Sequence, residues 1–180
     1  MKVVLFLVCI ISLSACSPSL KVQTDYDPDY DLWSYASFDW ARVDSSVIRN
    51  PQYYTDLNER RIKEAVMRQL SKRGYQLTND KPDLLIQYHI VVEDKTAIAT
   101  EPFGYVYGPY WMQSKQNTYH YTQGTLILDL TDTRINQLIW RGWAVSDVDG
   151  VDSPEEINAL VNAAVRKMFD TFPKRKTNKL

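Results

Sequence analysis

From Asp83 to Glu93 the apolar residues fall on alternate positions. Leu84, Ile86, Tyr88, Ile90 and Val92 share one side, and Leu85, Gln87, His89 and Val91 take the other. Side chains of a strand point to opposite faces in turn, so a period of two marks a strand with one face turned to a core. The segments Gly124–Asp132 and Gln137–Ser146 repeat the pattern and are joined closely enough to form an antiparallel hairpin. A register with Leu128 opposite Trp140 puts Leu126, Leu128 and Leu130 on one face with Leu138, Trp140 and Ala144. A slip of one residue would turn that apolar set outward, so the pairing is closely specified. Lys21–Tyr26 and Tyr35–Trp40 read as two shorter strands separated by the turn residues Asp27-Pro28-Asp29.

Two stretches change to helical spacing. Asp56 as N-cap, with Glu59 three residues on, opens a helix whose inner stripe is Ile62, Ala65, Val66, Gln69 and Leu70. Lys72-Arg73 complement its dipole, Gly74 supplies a left-handed stop, and Tyr75 packs back on the last turn. Ser153-Pro154-Glu155-Glu156 is an N-cap, a proline at the first helical position and a capping-box glutamate. Ile157, Leu160, Val161, Ala164, Val165 and Met168 form the stripe behind it, and Phe172-Pro173 ends it. Two amphipathic helices cannot cover both faces of such a sheet. The expected fold is therefore an α/β two-layer sandwich, with a mixed, mostly antiparallel sheet of about four to five strands and both helices on one face.

The first sixteen residues are of another kind. Lys2 precedes the unbroken apolar run Val3–Ile11 and the small residues Ser14-Ala15, the layout of a secretory signal and too short to span a bilayer as a helix. Leu13-Ser14-Ala15-Cys16 resembles the lipobox of bacterial lipoproteins. That resemblance implies cleavage before Cys16 and lipidation of Cys16. Ser17, where Asp commonly marks inner-membrane retention, implies the periplasmic face of the outer membrane. Cys9 leaves with the signal and Cys16 is capped, so no thiol remains for a disulfide, a metal or catalysis. The expected organisation is a signal peptide over 1–15, a lipidated tether over 16–20, one domain over 21–173 and a basic tail over 174–180.

Several phrases then line up in order: VQTDY from Val22 to Tyr26, Phe38-Asp39-Trp40, Arg73-Gly74-Tyr75 and Pro82-Asp83-Leu84. Gln123–Leu130 (QGTLILDL) and Ile139-Trp140-Arg141-Gly142 complete the set. Together they resemble the domain-of-unknown-function family 4136 of bacterial lipoproteins, over nearly the whole of the chain after Cys16. The resemblance implies an envelope lipoprotein and brings no catalytic residues with it. The layout also looks like small outer-membrane assembly lipoproteins, an analogy of fold alone.

Candidate chemistry is thin. Lys plus Arg number 21 against 22 for Asp plus Glu, which gives no basic patch for nucleic acid. The run Lys174-Arg175-Lys176 with Lys179 reads as a solvated end. His89, mid-strand, and His120, in a loop, have no second ligand at a usable spacing, so no metal site or cofactor is expected. No nucleophile elbow or phosphate loop occurs. Asp83 at a strand start reads as bonded to local backbone amides, and Asp129 as an ion-pair partner diagonal to Arg141.

Two surfaces remain. The aromatic, glycine-broken stretch 103–121, with Tyr105, Tyr107, Tyr110, Trp111 and Tyr119, either anchors a partner or folds back and buries its rings. The sheet face away from the helices carries Leu85, Val91, Ile127, Ile139, Trp143 and Val145, and calls for a cover: the aromatic loop, the Tyr26–Tyr35 segment or another protein. The expected function is that of a non-enzymatic lipoprotein, membrane-bound through Cys16, binding another envelope component and in the first place a protein. The alternative is a glycan- or lipid-binding module using 103–121. The sequence leaves the oligomeric state open.

Overall fold

The computed structural model describes residues 19–41, 53–103 and 113–174. The elements run β1 (Lys21–Tyr26), β2 (Ser37–Trp40), α1 (Asp56–Lys72), β3 (Gln76–Leu77), β4 (Leu84–Phe103), β5 (Gln113–Asp132), β6 (Gln137–Asp147) and α2 (Pro154–Met168). They build an α/β fold with one open mixed sheet of order β1-β6-β5-β4-β2-β3. The sheet has six strands, not four to five. The difference lies in the minimal parallel pairings at one edge, where β2 meets β4 over three residues and β3 over two.

Both helices begin with side-chain caps. Ser153 accepts from the Glu156 backbone N–H at 3.2 Å, and the Glu156 carboxylate accepts from the Ser153 backbone N–H at 3.1 Å, a closed capping box. At α1 the cap is Thr55, not Asp56: its hydroxyl accepts from Asn58 N–H at 3.2 Å, and Asp56 becomes the first helical residue. There Asp56 and Glu59 complement the positive end of the helix. Gly74 stops α1 at φ 88°, a left-handed conformation that a side chain would strain, and Tyr75 turns inward to donate to the Leu32 carbonyl at 2.8 Å.

The core is one cluster. Ile62, Ala65, Val66 and Leu70 of α1, Ala164, Val165 and Met168 of α2, and Phe169 and Phe172 beyond it meet Leu84, Ile86, Tyr88, Leu128, Leu130 and Trp140 of the sheet. The hairpin register departs from expectation by two residues: Leu130, not Leu128, stands opposite Trp140, and Leu128 stands opposite Gly142. A shift of two keeps each of these side chains on its face. A bulge follows between Leu130 and Thr131, leaving Ile139 as the extra residue. It exchanges two expected positions: Ile139 is 1% exposed and in the core, and Leu138 is 41% exposed.

Candidate functional site

β4 and β5 pair far beyond the rest of the sheet. Their ladder runs from Leu84 opposite Asp132 to Phe103 opposite Gln113, and β6 accompanies β5 only from Asp132 to Gln123. Beyond that point lies a two-stranded arm of ten residue pairs, Asp94–Phe103 against Gln113–Thr122. The strands expected to end at Glu93 and to begin at Gly124 are therefore both longer, and His120 lies on a strand rather than in a loop. The hydrophobic alternation stops at Val92, yet backbone pairing continues through Thr-, Ile- and Tyr-bearing segments without an interior glycine. Thr96 and His120 face each other across the arm, with Oγ1 and Nδ1 3.2 Å apart.

At the root of the arm the two layers part. On the helix-facing side of β4, Leu84 and Ile86 are fully buried and Tyr88 nearly so, whereas Ile90 and Val92 are only half-buried. Leu128 and Leu130 of β5 are likewise sealed, and Leu126 is not. Opposite them, Ile157, Leu160 and Val161 in the first turns of α2 are half-buried too. The space between is a cleft of about 470 Å³, a volume suited to a small ligand. Leu20, just before β1, also lines it. Three of its polar groups are already bonded to the protein. Thr122 N–H donates to Asp149 at 3.1 Å, the Asn58 amide donates to the Tyr53 carbonyl at 3.0 Å, and the Ser146 hydroxyl donates to the Asp147 carbonyl at 3.0 Å. The larger part of what the cleft offers a ligand is aliphatic surface, with Asp149 and Asp152 at its border.

The acids singled out in the sequence are engaged structurally. Asp83 accepts from the amides of Ala36 and Ser37 at 2.7 and 2.9 Å and from the Ser37 hydroxyl at 2.9 Å, so the amides it binds lie at the entry to distant β2 and not in its own turn. Asp129 lies directly opposite Arg141, not diagonal to it, and takes a bidentate pair at 2.6 and 2.7 Å. This bond raises the Arg141 pKa. His89 Nε2 stands 3.7 Å from the same carboxylate. Asp132 is 1% exposed, accepts from Arg134 at 2.7 Å and from the Tyr35 hydroxyl at 2.8 Å, and titrates at about 2, chiefly because of the Arg134 hydrogen bond. Burial, with Asp132 beside it, pushes the Tyr35 phenol up to about 12. Among the described residues no three His, Cys, Asp or Glu side chains gather closely enough to hold a metal ion.

Of the expected site residues, Cys16, Tyr105, Tyr107, Tyr110 and Trp111 lie outside the described residues. Tyr119 stands on the arm opposite Ala97 and is 49% exposed. The outer sheet face carries Leu85, Ile127, Trp143 and Val145 half-buried and Val91 40% exposed, with Ile139 removed from it by the bulge. The cleft went unnoticed in the sequence. No single segment signals it, because its lining comes from β4, β5, β6 and both helices together.

The chain belongs to the family described as a domain of unknown function (DUF4136), which matches residues 22–174. None of the curated proteins compared with it matches in sequence. A PDZ domain protein from Parabacteroides distasonis has a similar structure over 89% of this chain, with 18% identity and a TM-score of 0.57. This chain spans 38% of that one. A PelC dodecamer from Paraburkholderia phytofirmans gives a TM-score of 0.48 at 8% identity, over 88% of this chain and 99% of that one. The first of these likenesses is one of fold.

Proposed function

We propose that this member of the DUF4136 family is a lipoprotein, cut before Cys16 and anchored there to the periplasmic face of the outer membrane, whose domain binds an envelope component without turning it over. The lipobox-like Leu13-Ser14-Ala15-Cys16 supports the anchor. The observation that carries the binding role is the aliphatic cleft of about 470 Å³ at the root of the arm. The component it suits is an acyl chain. Each methylene moved from water into it contributes about 0.8 kcal/mol, so ten offer about 8 kcal/mol before the loss of ligand freedom is subtracted.

The test uses the Cys16→Ser protein, which carries no lipid of its own, titrated with a fluorescent fatty acid. The expected result is saturable binding that Leu160→Trp and Val161→Trp, which fill the cleft, weaken at least tenfold while melting like the parent. Absence of binding by the parent, or equal binding by the filled variants, overturns the reading. A second reading, a protein partner, draws support from the outer sheet face, where Trp143, Ile127 and Val145 stay partly open. A photocrosslinker at Thr125 on that face, captured in intact cells, tests it. One defined adduct supports the reading, and the absence of adducts counts against it.

A further inference from the structure

The start of the domain and the arm lie at the same end of the sheet. Lys21 pairs with Val145, Val145 with Thr125, and Thr125 with Val91, which makes one row across four strands. From that row β4 runs twelve residues further, to Phe103, a rise of about 40 Å. From the same row back to Cys16 there are five residue steps, which reach at most about 18 Å even when fully extended. The arm is thus about twice as long as the leash.

An anchor at Cys16 therefore brings the membrane to the domain before the arm has run its length. The arm has two ways to go. Plunging into the hydrocarbon is ruled out by its own backbone. Thr122 turns its N–H and C=O away from β4, toward Asp149 and Val148, and alternate residues of an antiparallel strand repeat that direction. His120 and Thr118 thus turn N–H and C=O groups to an edge where, among the described residues, no strand pairs with them, and such groups cannot be left in hydrocarbon. Glu93, Asp94 and Lys95 at the root add charge. Lying along the surface meets both conditions. The headgroup layer supplies phosphate acceptors for the N–H groups and water for the carbonyls. It also accepts the exposed Ile98 and Tyr119, which are 66% and 49% exposed, because amphipathic and apolar side chains settle at that depth.

We infer that the β4–β5 arm lies along the surface of the membrane that holds the anchor, bonded to phospholipid headgroups, and so fixes the orientation of the domain and turns the cleft toward the lipid. The inference rests on the anchoring of Cys16 proposed above. Once Cys16 is lipidated and Cys9 removed with the signal, the chain has no free thiol, so a single introduced cysteine takes a label alone. The experiment places an environment-sensitive fluorophore at Ile98→Cys, at Tyr119→Cys on the opposite face of the arm, or at Ile135→Cys beyond the far end of β5. The labelled lipidated protein is reconstituted in vesicles of phosphatidylethanolamine and phosphatidylglycerol, with or without spin-labelled lipid.

Blue-shifted emission at Ile98 or Tyr119, quenched severalfold more than at Ile135, is the expected result. Protein that floats with the vesicles but keeps all three labels in water overturns the arm inference and leaves the anchor standing. Labels shielded from water yet untouched by spin-labelled lipid also overturn it, because the arm is then covered by protein. Failure to float, with no acyl mass on the chain, removes the anchor and the inference together.

Discussion

Gly142 lies at the centre of β6, opposite Leu128 on one side and Thr24 on the other. It has no side chain because the Trp140 ring lies across it. A Cβ built there would stand 2.5, 3.0 and 3.2 Å from Cη2, Cζ2 and Cζ3 of that indole. The ring has nowhere to retreat, since it stacks on Phe169 at 5.2 Å and meets the edge of Phe172 at 5.4 Å, and Trp140 is only 2% exposed. Gly142→Ala would ordinarily help a strand by reducing the freedom of the unfolded chain. Here the clash reverses the sign, and overpacking of this kind costs about 1–3 kcal/mol. Trp140→Ala removes the ring itself and costs about 3–5 kcal/mol.

The two changes should not add. With the indole gone, the alanine at 142 occupies vacated space, and the coupling between the two sites should reach at least about 1 kcal/mol. Urea unfolding of the Cys16→Ser protein, followed by far-ultraviolet circular dichroism, measures all four corners of the cycle. In a domain of this size, about 1 kcal/mol corresponds to a shift of about 2–4 °C in Tm, so melting curves give an independent check. A Gly142→Ala protein as stable as the parent, or strictly additive effects, would show that Trp140 does not lie over Gly142.

Three further outcomes follow from particular groups. Cys16→Ser should abolish the gain of acyl mass, and that protein should leave the outer-membrane fraction after a salt wash, while its retention there would contradict the lipobox reading. Asp132 titrates at about 2 when folded against an ordinary 3.8, so its contribution of about 2 kcal/mol is complete above roughly pH 4 and disappears as the pH falls through about 2. Asp132→Asn should therefore flatten the dependence of the urea midpoint on pH between 5 and 2, and an unchanged slope would exclude the Tyr35–Asp132–Arg134 cluster as its source. Serine at Tyr107, Tyr110 and Trp111 together should leave Tm unchanged if those rings are recognition groups, and a fall of several degrees would show that they pack on the sheet.

Both helices were legible because their signals are local. Ser153, Pro154 and Glu156 announce a start within four residues, and Gly74 announces a stop by itself. The sheet was legible only modulo two. Alternation tells which face Leu128 and Trp140 occupy, but not whether Leu128 meets position 140 or 142, since both satisfy the same pattern. The bulge at Leu130/Thr131 carries no glycine or proline to mark it, so the exchange of Leu138 for Ile139 was invisible. The arm escaped for a different reason. Its ladder is held by backbone groups that every residue carries, and the side chains at 96–98 and 118–120 are exposed, so no buried face imposes a pattern there. The cleft escaped because it belongs to no segment: it is the space between the first turns of α2 and the apolar side chains of three strands.

The charges at the arm end restrict what kind of contact the arm can make. Asp56 and Glu59 sit in the first turn of α1, and Glu155 and Glu156 in that of α2. Asp149 and Asp152 border the cleft, and Glu93 and Asp94 stand at the root of the arm. The α1 start belongs to the same end, since the Tyr54 hydroxyl accepts from Ile90 N–H at 2.7 Å. Each helical acid complements a dipole, so the positive ends of both helices are already matched within the protein and are not free to attract an anionic surface. Lys95 pairs with Glu93 and Lys63 with Glu59, and Lys21 starts β1 at this end, so the acids are partly balanced but leave acidic lipids a weak net repulsion. Lys174, the last described residue, follows Phe172, which packs on Trp140 at the opposite end of the sheet. A membrane contact made here must come from hydrogen bonds and interfacial side chains, not from Coulomb attraction. Added salt screens the repulsion over a Debye length of about 10 Å at 0.1 M and leaves those bonds intact. Lipid quenching at Ile98 should therefore hold or rise as sodium chloride is added, the reverse of the behaviour of a polybasic segment.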